Sequence, residues 1–336
     1  MSHKMDSNKL EKHYWIWPIA IYLFLGGLGG GTLFVAGMFD ILYGPEAGYI
    51  TALAVLAGVA CLGFGSFLLV FELGQPLVFL RVFLSGTAIL KYGACLLILA
   101  MGFGFVNFLY YLPAEWQLFY YSWTWIRDLC CWLMAICGLG VMVYTGVFLA
   151  SMKAKAFWNT PALPVLFTVS ALSTATVLLA ILAGVWPMPA DFTVQLAGAA
   201  HAAEFDAHKL VEELHFIDSI LVIAEVIVLL VYVLMMRAAG NITARTIAIK
   251  WLQGAWAPLF WGGMICLGLV IPFFCYRLGG AGAEFIAPVL VLAAGLLLRF
   301  MVVFSDQRHE IAGERRFYNR LPKGDEAFLH EWKAPY

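Results

Sequence analysis

The chain has 336 residues, of which 63% are hydrophobic and only 12% charged, with a formal net charge of −1. A soluble domain carries roughly 25% charged residues, so most of this chain belongs in lipid, and its long unbroken apolar stretches exclude a β-barrel in favour of an all-α integral membrane protein. The lipid membrane is the first partner implied, and no nucleic-acid partner is expected.

Eight apolar segments are each about 20 residues long, enough at about 1.5 Å per residue to cross a hydrocarbon core of about 30 Å. They are expected at about 16–42, 50–71, 88–112, 127–152, 162–185, 216–238, 255–275 and 284–305. Ahead of them lies a polar tail, 1–15. The first segment is too long for a removable signal and is followed by no small-residue cleavage site, so it is read as retained. Its glycines, Gly26, Gly27, Gly29, Gly30, Gly31 and Gly37, would let another helix, or a flat ligand, approach the backbone closely. The second segment ends in Phe71-Glu72-Leu73-Gly74-Gln75-Pro76. A carboxylate near hydrocarbon is costly, so Glu72 either snorkels, pairs with a cation or handles protons. Lys91 stands early in the third segment and Tyr144 near the exit of the fourth.

The fifth segment follows Pro161 and Pro164 and carries Ser170, Ser173, Thr174 and Thr176, hydroxyls that either bond back to the preceding turn or line a cavity. In the polar loop 186–215, the apolar residues of 202–214 fall at helical spacing, as in a short amphipathic helix lying at the interface. Asp218 and Glu225 are seven residues apart on one face of the sixth segment, and Arg299 lies in the eighth. Such charges face a protein interior and mark either an ion pair or a proton path, here formed by Asp218, Glu225 and Arg299, with Lys91 a further candidate. The charged tail, 306–336, is too short for a domain.

Basic residues are unevenly divided. Lys4, Lys9, Lys12, Arg81, Lys153, Lys155, Arg237, Arg245, Lys250 and six in the tail fall on the side of the termini, against Arg127, Lys209 and Arg277 on the other. Both termini are therefore expected in the cytoplasm. Serpentine threading brings Tyr22, Glu72, Lys91 and Tyr144 to that same side. Tyrosine hydroxyls can donate to a quinone carbonyl, and a carboxylate can exchange the protons of quinone chemistry. The plainer alternatives are an interfacial aromatic belt and a pairing of Glu72 with Lys91 or Arg81. The seven cysteines show no CxxC or ferredoxin spacing, so no iron–sulfur cluster is expected in this chain. The seven histidines lie outside the segments or at a segment end, which leaves no paired ligands for haem b. His201, His208 and His215 recur every seven residues, a spacing unsuited to a metal site, and none is expected.

The sequence resembles the NrfD-type family, the integral membrane subunits of polysulfide reductase and related respiratory complexes. The resemblance is carried by Trp15-Ile16-Trp17 with the glycine-rich stretch to Gly31, by Phe71 to Pro76, by Tyr144-Thr145-Gly146-Val147-Phe148-Leu149, by Phe157-Trp158-Asn159-Thr160-Pro161 with the run from Leu163 to Ser173, and by the run from Leu296 to Val303. Gln75 stands where the family pattern has a basic residue, and Tyr22 where some relatives have histidine. What the resemblance implies is two four-helix bundles, 16–152 and 153–305, with a quinone site in the first, where Tyr22, Tyr144, Gly27 and Glu72 would meet menaquinone or ubiquinone. It also implies a ferredoxin-like iron–sulfur subunit and a molybdopterin catalytic subunit as partners, in a prokaryotic cytoplasmic membrane. On this reading the protein anchors the complex and carries its quinone reaction site, Glu72 exchanging the proton. A proton-conducting subunit and a solute transporter are the competing functions.

Overall fold

The computed structural model describes residues 17–44, 48–72, 89–112, 123–185, 193–196, 199–202, 207–279 and 281–305. In chain order the helices are α1 (Trp17–Tyr43), α2 (Gly48–Glu72), α3 (Ile89–Leu109), α4 (Thr124–Ala150) and α5 (Ala162–Val185). A short antiparallel hairpin follows, β1 (Thr193–Leu196) with β2 (Ala199–Ala202), pairing Thr193 with Ala202 and Leu196 with Ala199. Then come α6 (Ala207–Ala238), α7 (Ile242–Leu252), a π-helix (Pro258–Val270), α8 (Ile271–Leu278) and α9 (Ala281–Val303). Among the described residues, eight helical stretches are long and apolar enough to cross a membrane, and all eight coincide with the expected segments to within a few residues except at the start of the sixth. Helix is what hydrocarbon demands, because it satisfies every backbone polar group within the segment.

The exception is α6. The expected interfacial helix over 202–214 is not separate: Ala202 ends β2, and the helix that starts at Ala207 runs unbroken into the sixth span. No Gly or Pro interrupts 207–238, and Leu210 and Leu214 are buried rather than laid on a lipid surface. The seventh span also departs from simple α-helix. Ile271 N–H bonds back five residues to the Cys266 carbonyl, and the wide turns end against Pro272, which has no N–H to donate and whose ring would crowd a carbonyl four residues back.

The centre of the molecule is α1. Fully 72% of its span is buried, against 22% for α3, and it packs on α2, α4, α5 and α9. The glycine run makes this possible, since successive residues of a helix point about 100° apart. A side-chain carbon on Gly29 would come within 2.8 Å of the Gly58 carbonyl oxygen on α2. On Gly30 it would come within 2.9 Å of the Gly138 carbonyl oxygen on α4, and on Gly31 within 2.8 Å of that of Ala171 on α5. Three consecutive glycines thus seat α1 against three different helices. Gly30→Val is expected to lower stability by about 1–3 kcal/mol through overpacking, read as a lower thermal midpoint and a smaller monodisperse fraction in detergent.

The connection between α4 and α5 is fixed as firmly. Trp158 Nε1 donates to the Val302 carbonyl (2.8 Å), and Tyr232 OH donates to that of Phe157 (2.6 Å), tying this connection to α9 and α6. Phe157 and Trp158 are completely buried. Gly146 is needed because the Pro164 backbone occupies the space a side chain would take, 2.5 Å from its first carbon. The residues that carry the family resemblance most specifically are therefore architectural, and they hold Tyr144 in place two residues away.

Candidate functional site

Tyr22, one and a half turns into α1, and Tyr144, near the end of α4, come together as threading requires. Both rings are buried, and their hydroxyls face each other. The Tyr144 hydroxyl nonetheless completes no hydrogen bond of normal geometry. Its ring lies over the backbone of Gly93 on α3, where any side-chain carbon would overlap it, and 5.8 Å from the Phe148 ring. Tyr22 lies against Gly65 of α2, 3.6 Å from where a side-chain carbon would stand. Glu72 is the last residue of α2, seven residues beyond Gly65 and so about 10 Å further along the axis. The side chain of Glu72, and Leu73 to Pro76, lie outside the described residues. Lys91 is half-buried in the first turn of α3, two residues before Gly93. Gly27 takes another direction, toward Ala171 of α5 and the Arg299 guanidinium. What the tyrosine pair offers chemically is two phenolic donors in an apolar surrounding, one of them completing no hydrogen bond of normal geometry. An unsatisfied buried donor costs about 1–3 kcal/mol, which an acceptor bound between the rings would relieve.

Arg299, Glu225 and Asp218 stand in a second buried assembly, between α5, α6, α8 and α9. Arg299 is wholly buried. Its Nη1 donates to Ser170 Oγ and to the Gly295 carbonyl (3.2 Å), its Nη2 donates to the Phe167 carbonyl (3.2 Å), and its plane lies over the Phe167 ring. Glu225 lies beside Ser170 and within electrostatic reach of Arg299. Among the described residues, the ion pairs closer than 4 Å join Arg127 to Asp40 and Asp128; Glu225 and Arg299 meet instead around the Ser170 hydroxyl. Asp218 Oδ1 accepts from Ser173 Oγ at 2.6 Å. The Tyr276 hydroxyl is directed at Asp218, and the His215 ring stacks on Tyr276 at 4.6 Å.

A third assembly escaped the reading of the sequence. At the opposite end of the first four spans, the buried Asp40 carboxylate accepts from Asn107 Nδ2 (2.9 Å) and from the Tyr111 hydroxyl, and Arg127 Nη1 lies 3.8 Å from its Oδ1. Burial, and next the Asp40 charge, hold the Tyr111 phenol well above its ordinary range, so it remains a donor. Three helices, α1, α3 and α4, are joined at this point. The signal was present: threading puts Asp40 at the end of the first span, Asn107 and Tyr111 at the end of the third and Arg127 at the start of the fourth, all on one side.

Over residues 6–309 the protein matches the family model described as Polysulphide reductase, NrfD. It is 28% identical to the C subunit of polysulfide reductase from Wolinella succinogenes over 325 residues, which covers 87% of the present sequence and 94% of that protein. It is 26% identical to Protein NrfD of Escherichia coli strain K12 over 330 residues, covering 88% of the present sequence and 96% of that one. With eight helices able to span a bilayer and a family match over nearly its whole length, the chain belongs to the NrfD family and is a multi-pass membrane protein.

Proposed function

We propose that this protein is the membrane subunit of a respiratory molybdopterin oxidoreductase complex and carries its quinone reaction site. The observation that carries this reading is the buried pair Tyr22 and Tyr144, hydroxyl facing hydroxyl, with the Tyr144 hydroxyl completing no hydrogen bond of normal geometry. A quinone has carbonyl acceptors that such donors satisfy. The likeness to the C subunit of polysulfide reductase supports placement in a reductase complex.

Oxidation of one quinol releases two electrons and two protons. The electrons pass to a ferredoxin-like iron–sulfur subunit and on to the molybdopterin subunit; the protons leave through Glu72, at the end of α2. Reduction runs the same steps backward. Tyr22 and Tyr144 orient the ring and keep their own protons. The complex sits in a prokaryotic cytoplasmic membrane with both termini of this subunit on the cytoplasmic side, as the basic residues favour.

Tyr144→Phe in the assembled complex tests the reading. Loss of one hydrogen bond worth about 1–3 kcal/mol corresponds to a roughly 10- to 100-fold fall in kcat/KM for a short-chain quinol, with assembly unchanged. Turnover equal to the unmodified complex would remove the tyrosine pair from the site.

A further inference from the structure

On the face of the membrane that carries the tyrosine pair, the connection between α4 and α5 and the junction of α6 with α7 enclose a cavity of about 300 Å³. Lys153 and Asn159 line it from one side, and Met236, Ala239, Gly240 and Asn241 from the other. The charge around it has one sign. From Ser151 to Pro161 and from Arg237 to Leu252 the chain carries Lys153, Lys155, Arg237, Arg245 and Lys250 and no acidic residue. Lys153, Arg237 and Arg245 are exposed, and the ion pairs closer than 4 Å among the described residues are made by Arg127, at the other end of α4. Cations gathered in this way repel one another, and an anion seated among them is attracted.

The polar groups of the walls suit such an anion. Asn159 Nδ2 donates to the Ala150 carbonyl (3.2 Å), and an amide carries a second N–H. Asn241 caps α7, its side chain accepting from the N–H groups of Thr243 (2.9 Å) and Ala244 (3.4 Å). The positive end of the α7 dipole therefore reaches the cavity as a field, with those two N–H groups already bonded.

The surroundings set the depth. The outward face of α7 exposes Ile242, Arg245, Thr246 and Ile249 together. Isoleucine in water and arginine in hydrocarbon are both unfavourable, so a helix face that mixes them belongs at the level of the lipid headgroups. Val231, Met235 and Ala239 stand four residues apart and share one face, and Val231 and Met235 are exposed. This apolar strip leads from the cavity toward the hydrocarbon. At Gly240 the cavity is open, with nothing within 4 Å of where a side-chain carbon would stand.

We propose that the cavity seats the phosphate-bearing headgroup of an anionic phospholipid, held by Lys153 and Asn159, with its acyl chains along Val231 and Met235. A free anion would use the cations but not the apolar strip, and an acidic surface on a partner protein would not call for isoleucines at headgroup level. The site does not depend on the quinone reading.

Native mass spectrometry of the full chain in detergent, with phosphatidylglycerol or phosphatidylcholine added, tests it. Phosphatidylglycerol should be retained in preference, and Lys153→Ala should lower its retention about five-fold, the worth of one basic residue near an anionic headgroup. Gly240→Leu removes no charge but fills the cavity and should lower retention in the same way, whereas Arg277→Ala, on the other face, should not. Equal retention of the two lipids overturns the proposal. So does normal retention in Gly240→Leu, which would mean attraction to a basic surface without a seat. Displacement of the lipid by millimolar inorganic phosphate would make this a free-anion site, and its loss on assembly of the complex would assign the face to a partner subunit; either overturns the lipid.

Discussion

Alanine at position 93 is expected to remove most of the quinol turnover of the assembled complex, about 100-fold, although it adds only a single methyl group. Gly93 is buried on α3, and the Tyr144 ring lies directly over its backbone. The overlapping atoms are the ring carbons around Cζ, which carries the hydroxyl, not the loose end of a flexible chain. The ring must swing aside or α3 must retreat, and either one moves the hydroxyl away from Tyr22. A misplacement of about 1 Å at a reacting ligand costs on the order of 100-fold. Gly102→Ala on the same helix is the control: nothing stands within 4 Å of the added carbon there, so turnover should match the unmodified complex. Steady-state rates with a short-chain quinol, beside size-exclusion profiles showing intact assembly, decide it. Normal turnover in Gly93→Ala would mean that the position of the Tyr144 ring is immaterial to the reaction.

Gly93 also shows where reading the sequence stops. The eight spans were legible because hydrocarbon leaves a helix little choice, and apolar length alone marks it. The meeting of Tyr22 with Tyr144 was legible because serpentine threading fixes depth. Rotation about each helix axis was not. Gly27 was expected beside the tyrosines at a quinone, but rotation turns it toward Ala171 and Arg299, and only packing sets rotation. Gly93 gave no signal in a sequence with 32 glycines, since its importance lies in what sits above it. The continuous start of α6 and the π-helix were missed for a related reason: both depend on local neighbours, and hydropathy averages over them. Ser170 and Ser173 were visible as hydroxyls that either bond back or line a cavity; the structure shows their partners to be Arg299 and Asp218, which lie 129 and 45 residues away in sequence.

The largest loss of stability is expected from Asp40→Ala. Asp40 is buried, and its two oxygens take the Asn107 amide and the Tyr111 hydroxyl, with Arg127 at 3.8 Å. Removing the carboxylate leaves two neutral donors and part of a cation without an acceptor at the junction of α1, α3 and α4. Breaking a buried charge pair from one side costs about 3–5 kcal/mol. Arg127→Ala should cost less, because Asn107 and Tyr111 still solvate the carboxylate. Arg127 itself retains a partner when Asp40 is lost, since its Nη2 lies 2.7 Å from Asp128 Oδ1; but the Asp128 side chain is 57% exposed, and a pair in water is worth about 0–1 kcal/mol. Asp128→Ala should therefore be nearly silent. Denaturant titration in detergent measures all three, and the double variant Asp40→Ala/Arg127→Ala completes the cycle. Because each single substitution already removes the same Asp40–Arg127 interaction, the double should cost less than the sum of the two by about 0.5–3 kcal/mol. Strict additivity would mean that Asp40 is held by Tyr111 and Asn107 alone and that the arginine is a bystander at the membrane edge.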